Sequence, residues 1–316
     1  MDAKDIGVTD EGTRCGFVAI IGAPNAGKST LVNRLVGSKV SIVSRKVQTT
    51  RMRVRGVAIE GKSQIVLVDT PGIFEPKRNL DRAMVDAAWA GATDADLVCL
   101  IVDAPELTET PNGLAARDTM RIIDGLNAAK RSAVLILNKV DAIKRDQLLP
   151  LAEQLGAKAK FDAVFMISAE KGDGTAALAK HLAAAVPPGP WAYPEEQASD
   201  ISLRLLAAEI TRERIYDRLH QELPYSTTVI TDQWTQNKDG SARIEQTIFV
   251  ERDGQKAIVL GKGGATIKLL GSSARAEMET MFGHKVHLFL FVKVRENWAE
   301  DPMHYREMGL DPPKRG

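Results

Sequence analysis

The chain has 316 residues, with 42 Lys+Arg against 41 Asp+Glu and a formal net charge of +1. An apolar content of 44% and a charged content of 26% exclude a mostly disordered or collagen-like protein, and at roughly 100–200 residues per domain two domains are expected. The charge balance excludes a uniformly basic nucleic-acid binder, though not a local basic face, and two distant cysteines, Cys15 and Cys99, exclude a disulfide framework or a zinc site and fit a reducing cytoplasm.

Residues 1–15 carry acids and no apolar core segment, so they read as a mobile leader and not as a signal peptide. No run approaches the ~20 apolar residues that span a bilayer. Apolar runs at Phe17–Ile21, Ile65–Val68, Leu97–Val102, Ala133–Leu137 and Ala163–Ile167 predict buried strands. They alternate with helical patterns at Lys28–Leu35, Leu80–Ala92, Leu114–Ala128, Gln147–Leu155 and Thr175–Val186. That alternation predicts an α/β domain over residues 16–186, with a mainly parallel, doubly wound sheet. Ligands of such sheets sit at the carboxyl ends of the strands. Pro187, Pro188, Pro190 and Pro194 crowd the next stretch, and residues 187–200 read as a semi-rigid linker. Beyond it the expected order is helix, strand, strand, helix, helix, strand, a smaller α+β domain over residues 201–300. Residues 301–316 form a polar tail.

The first predicted strand runs into Gly22-Ala23-Pro24-Asn25-Ala26-Gly27-Lys28-Ser29-Thr30, which fits GxxxxGK(S/T) with a helix following. Backbone amides there converge on phosphate oxygens, Lys28 reaches the β- and γ-phosphates, and Ser29 can ligate Mg²⁺. The same pattern recurs at Gly56–Ser63. There it lies between two strand-like runs with no helix after it, so a hairpin turn at Gly61-Lys62 is the reading. Asp69-Thr70-Pro71-Gly72 ends the next strand; Asp69 can hold Mg²⁺ and the Gly72 amide can meet a γ-phosphate. Asn138-Lys139-Val140-Asp141 follows an apolar strand. The Asp141 carboxylate can accept from guanine N1 and N2, which adenine does not offer. Asn138 can serve the ring's other face or tie loops together. Ser168-Ala169-Glu170 ends the last strand, where a backbone amide can meet guanine O6.

In the second domain, Gly261-Lys262-Gly263-Gly264 links two helical segments in VLGKGGATIK and resembles the GxxG loop of KH domains, which clamps about four backbone nucleotides. Lys262 and Lys268 add charge; from Arg252 to Arg295 eight Lys/Arg stand against three Asp/Glu. His284 and His287 lack a metalloprotease-type pattern, and Trp191, Trp234 and Trp298 read as packing residues.

Taken in order, these motifs resemble the translation-factor-related GTPases, and the whole chain is similar to the Era family of bacterial GTPases. The resemblance implies a P-loop GTPase domain followed by a KH-type RNA-binding domain. It implies GTP/GDP and Mg²⁺ as cofactors, held by Ser29, Asp69 and the switch threonine Thr50, with Thr49 the competing candidate. It gives Lys28, Thr50 and Gly72 positioning roles in hydrolysis. It implies binding near the 3′ end of 16S rRNA, and a role in 16S rRNA processing and small-subunit biogenesis. It also implies a cytoplasmic monomer, with peripheral association at the inner membrane. Ile73 stands where Ras-like proteins carry a water-positioning Gln, so unassisted turnover on the order of 10⁻⁴–10⁻² s⁻¹ is expected. For Asn25 the resemblance implies a potassium ligand; the alternative is a loop-shaping residue. The segment Ser44–Arg55 has five basic residues and no acid, and reads as a solvated loop or an RNA contact. A tRNA-modifying GTPase is disfavoured because the last cysteine is Cys99, and an ATP-using enzyme because of Asn138–Asp141.

Overall fold

The structure is a computed structural model that describes residues 12–44, 46, 49–219, 223–300, 305 and 310. It divides into two compact units, Met1–Ser41 with Thr50–Asp200 and Gly309–Gly316, and Ile42–Thr49 with Ile201–Met308. Most of the predicted leader and tail, and Arg45 of the basic segment, lie outside the described residues.

The first unit contains β1 (Arg14–Ile21), α1 (Lys28–Val36), β2 (Val54–Glu60), β3 (Ser63–Asp69), α2 (Asn79–Asp94) and β4 (Leu97–Asp103). These are followed by α3 (Ala104–Glu109), α4 (Leu114–Ala128), β5 (Ala133–Asn138), α5 (Leu148–Gly156), β6 (Phe161–Met166) and α6 (Thr175–Ala185). The strands form one sheet in the order β2-β3-β1-β4-β5-β6. Only β2 runs antiparallel to its neighbour. Every residue of β3 and β5 is buried, as expected of strands covered on both faces. Alternate side chains feed two cores. Ala19, Ile21, Leu100 and Leu135 pack with α2, α4 and α5, while Val18, Ile20, Ile101 and Ile136 pack with α1 and α6. Because β1 lies between β3 and β4, the strand order reverses at its carboxyl end, which is where a ligand crevice opens in such sheets.

The repeat of the phosphate-loop pattern is a hairpin, as its context requires. Glu60 pairs with Ser63 across a two-residue turn, and Gly61 takes φ 59°. The six-residue α3 has no counterpart among the predicted helices. It is too short to show a period and is announced only by its cap, Asp103, whose Oδ1 accepts from the Glu106 amide at 3.2 Å.

Two boundaries need correction. β1 starts at Arg14, inside the stretch that reads as leader. Residues 187–200, which read as a linker between units, are stitched onto the first unit. Cys15 N donates to Pro187 O at 3.0 Å, Gly189 N to Thr13 O at 3.1 Å and Val57 N to Ala198 O at 2.8 Å. Fully buried Gln64 accepts from the Ala192 and Tyr193 amides through Oε1 at 2.8 and 3.0 Å. The prolines keep this strap out of helix and sheet, yet the amides between them still find partners.

The second unit carries α7 (Leu203–Arg218), β7 (Thr227–Gln236), β8 (Ala242–Val250), α8 (Asp253–Leu260), α9 (Ala265–Phe282) and β9 (Val286–Val294), in the element order expected. Its sheet runs β7-β8-β9, with β8 and β9 parallel. Ile215, Val229, Ile248, Val259, Leu270 and Val292 form a core between helices and sheet. Trp298 is fully buried, with Nε1 donating to Ser226 O at 3.0 Å, and Trp234 lies against Phe282, so both pack rather than offer a stacking platform.

Candidate nucleotide and RNA sites

The phosphate, metal and base motifs of the first unit converge at the carboxyl ends of β1, β3, β5 and β6. The loop 22–27 leads from β1 into α1, whose N-terminal end points its free amides at this crevice. Gly27 takes φ 100°, and a Cβ there would lie 2.2 Å from Asn138 Nδ2, so no other residue fits. Asn25 has φ 61°, a left-handed backbone that Asn adopts more readily than most side chains. Lys28 is buried, and its Nζ donates to Gly22 O at 3.1 Å and Ala23 O at 2.9 Å. Burial lowers its pKa to about 8, although the Asp69 charge pulls the other way.

Asp69 is fully buried at the end of β3. Its Oδ2 accepts from Ser29 Oγ at 2.7 Å and from Thr50 Oγ1 at 3.5 Å, and those two hydroxyls lie 2.8 Å apart. Thr49, the competing candidate, turns its hydroxyl to Lys46 O at 2.7 Å instead. Asp69 Oδ1 is buried with no hydrogen-bond partner among the described residues. Burial raises the Asp69 pKa, opposed by Ser29 and Lys28. An orphaned carboxylate oxygen beside two hydroxyls is an all-oxygen donor set suited to a hard divalent cation such as Mg²⁺. Thr70 is tied to β1 through Oγ1 to Ile20 O at 2.8 Å. Pro71 and Gly72 carry the chain past the phosphate loop to Ile73, whose amide donates to Gly22 O at 3.1 Å. The Ile73 side chain is buried in the core, so it serves packing and cannot orient water.

Asn138 ties loops together. Its Nδ2 donates to Ala26 O at 2.8 Å and its Oδ1 accepts from the Ala169 amide at 2.9 Å, joining the phosphate loop to the loop after β6. Lys139 has φ 65° and its ammonium pairs with Asp103. Val140 N donates to Ile167 O at 3.1 Å, which seats Asp141 beside buried Ser168. The Ser168 hydroxyl, and Lys171 at 3.2 Å, hold the Asp141 carboxyl below its ordinary value, so it stays an acceptor.

Of the basic segment Ser44–Arg55, Lys46 and Arg51 are engaged within the protein, whereas Arg53 and Arg55 remain exposed. Ile42–Thr49 folds as part of the second unit. There Val43 N donates to Glu213 Oε1 at 2.7 Å, Lys46 Nζ to Tyr216 O and Leu219 O, and Arg212 to Thr49 O. Arg51 is buried, and Arg55 pairs with Asp200 at 3.1 Å. Sequence reasoning misses Arg212 and Glu209, an ion pair on α7 between a buried guanidinium and a half-buried carboxylate; in sequence they are two charges among many.

Two family models match the chain, "50S ribosome-binding GTPase" over residues 17–139 and "KH domain" over residues 222–299. The chain is 62% identical over 302 residues, 96% of each chain, to the GTPase Era of Bradyrhizobium sp. (strain BTAi1). It is 58% identical to that of Brucella suis biovar 1, covering 95% of this chain and 94% of that one. The chain belongs to the GTPase Era family. Among solved structures, a point variant of Aquifex aeolicus Era bound to GDP·AlF4⁻ superposes with TM-score 0.87 at 36% identity, covering 94% of this chain and 99% of that one. Era in complex with MgGDPNP and nucleotides 1506–1542 of 16S ribosomal RNA gives the same TM-score at 37% identity and the same coverage.

In this Era-family chain the KH unit presents Gly261–Gly264 between α8 and α9. Gly261 takes φ 72° and ψ 170°, and a Cβ there would lie 2.2 Å from Thr266 Oγ1. Lys262, Gly263 and Lys268 are exposed, and Ile258 and Leu269 expose 56% and 52% of their surface beside them. The surface is thus cationic at the loop and apolar on its flanks, which suits a ribose-phosphate backbone with unstacked bases.

Proposed function

We propose that this GTPase is a nucleotide-controlled RNA binder whose target is the 3′ region of 16S rRNA, acting in 16S rRNA processing and small-subunit biogenesis. The RNA-bound relative supports the target over the large-subunit description of one matching model, because that relative aligns along both units while the model covers the GTPase domain alone. A cytoplasmic monomer is the corresponding state; among the described residues no helix is long and apolar enough to cross a membrane.

The GTP reading rests on Asp141 as acceptor for guanine N1 and N2, on a backbone amide of the Ser168-Ala169-Glu170 loop for O6, and on loop 22–27 and α1 for the phosphates. Lys28 brings positive charge to the β- and γ-phosphates, and Gly72 lets its loop pass close to them. Ser29, Thr50 and Asp69 would hold Mg²⁺, which when bound neutralises charge on the β- and γ-oxygens. Hydrolysis then depends on positioning, with no side chain at Ile73 to align water, so turnover without a partner is slow. For Asn25 we expect faster hydrolysis in KCl than in NaCl, a difference that Asn25→Ala removes; equal rates in both salts leave the loop-shaping role alone.

One observation carries the coupling between nucleotide and RNA. The chain leaves the second unit at Thr49, whose carbonyl Arg212 holds, and enters the first at Thr50, whose hydroxyl lies at Ser29 and Asp69. A nucleotide that orders Thr50 therefore orders the end of a segment belonging to the RNA-binding unit. The coupling must be reciprocal. RNA of the 16S 3′ sequence should bind more tightly with a non-hydrolysable GTP analogue than with GDP, and should tighten the analogue by the same factor. Titration calorimetry in both orders checks this, and identical affinities in both nucleotide states would remove the coupling.

A further inference from the structure

We propose that Arg34 is a positioning residue for guanine recognition, acting through the loop after β6; this rests on the guanine reading of Asp141 and of the Ser168-Ala169-Glu170 loop. Arg34 lies in the last turn of α1, the helix that begins at Lys28. Its guanidinium reaches across 135 residues of sequence, with Nε donating to Ala169 O at 3.1 Å and an adjacent N–H donating to Glu170 O. A planar fork spanning two successive carbonyls fixes both the position and the tilt of that backbone.

Those carbonyls belong to the loop that packs beside Asp141 and offers a backbone amide to the base. The Ala169 amide lies on the other side of the loop and donates to Asn138 Oδ1 at 2.9 Å. Ser168, one residue earlier, receives the Lys171 amide on its hydroxyl at 3.1 Å and itself bonds the Asp141 carboxylate, which Lys171 Nζ also meets at 3.2 Å. The loop closes through Gly172, whose φ of 93° and open Cβ position, 3.7 Å from the Arg34 guanidinium, leave room for the clamp. Arg34 thus holds the outer side of a loop whose inner side seats Asp141 and Ala169.

The helix makes this more than a local brace. Lys28 and Ser29 stand at one end of α1 and Arg34 at the other, so a single rigid element of nine residues links the phosphate site to the base site. Arg34 is solvent-exposed, so its loss costs the fold little and is felt in the order of the loop. Affinity and base discrimination depend on that order, because a polar site rejects the wrong base only when its groups are held in place.

The test measures release of a fluorescent GDP from the full chain, together with its displacement by GDP and by IDP, which lacks the 2-amino group. Arg34→Ala should speed GDP release about fivefold to tenfold and narrow the GDP-over-IDP preference, with little change in melting temperature. Arg34→Lys, which keeps the charge but is shorter and lacks the planar fork that fixes the tilt of the backbone, should fall between. If Arg34→Ala does not fold, Arg34→Lys decides on the same readouts. Unchanged release and unchanged preference would overturn the clamp. Asp141→Asn, run alongside, should move preference toward xanthosine diphosphate. If it does not, the guanine reading itself falls and the clamp with it, whereas a shift with a neutral Arg34→Ala removes the clamp alone.

Discussion

A chain with Lys28→Met is expected to lose GTP affinity by about 10²–10³-fold while its nucleotide-free form melts several degrees higher. The loss comes from removing charge-assisted hydrogen bonds to two phosphates, each worth about 1.5–3 kcal/mol. The gain comes from the cost of burying the ammonium. In the folded chain burial takes the Lys28 pKa to about 8 from 10.5, so the unfolded chain binds that proton more tightly. The penalty, about 3 kcal/mol, is present in full below pH 8 and fades as pH rises towards 10.5. Methionine removes the charge and keeps the length. The carbonyls it abandons keep partners, since Gly22 O accepts from Ile73 N at 3.1 Å and Ala23 O from Ala26 N at 3.4 Å. Thermal melts with and without GTP check both halves. A lower melting temperature without nucleotide would show that Lys28 stabilises the empty loop rather than straining it. With the expected result, phosphate binding recovers a cost built into the fold, a trade between stability and function.

The second large effect is expected at Gly263. Gly263→Asp should weaken binding to 16S 3′-end RNA by more than about 100-fold and leave GTP affinity unchanged. Gly263 takes φ 60°, and nothing lies within 4 Å of a Cβ placed there. The new carboxylate therefore projects into open space beside exposed Lys262, where the RNA backbone is to pass. The left-handed backbone adds a strain of about 1 kcal/mol, which Asp tolerates better than most residues. Gly263→Ala carries the strain without the charge and should cost far less RNA affinity. Anisotropy titrations of both variants separate the two causes; equal losses would mean that backbone conformation matters here and charge does not.

Much of this is legible in the sequence for a physical reason. Phosphate, metal and base sites of a doubly wound sheet sit at strand ends, so an apolar run followed by Gly-Lys-Ser, Asp-Thr-Pro-Gly or Asn-Lys-x-Asp states both the residue and its place. The false repeat at Gly56–Ser63 is told apart from the true one by the same logic, since a second strand succeeds it where the true loop opens a helix. The features that stay hidden depend on contacts far apart in the chain. Arg34 looks like an ordinary cation at a helix end, and Arg212 like one charge on a charged helix, because nothing in their neighbours names Ala169 or Thr49 as partners. The Pro-rich strap looks like a free linker because prolines announce the lack of helix and sheet but not the amides of Ala192 and Tyr193 meeting buried Gln64. The basic run Ser44–Arg55 looks open because charge density says nothing of which carbonyls Lys46 will reach. Thr49 and Thr50 are identical neighbours, told apart only by which hydroxyl turns toward Asp69.

The proposed function requires that the GxxG surface of the second unit engage the 3′ end of the small-subunit RNA. Ultraviolet crosslinking in cells tests it most directly, by sequencing the RNA attached to the peptide around Gly261–Gly264, with Gly263→Asp as the matched control. Reads are expected to concentrate on the 3′ end of 16S rRNA and to be lost in the variant. Reads spread over tRNA or messenger RNA, or none at all, would contradict it.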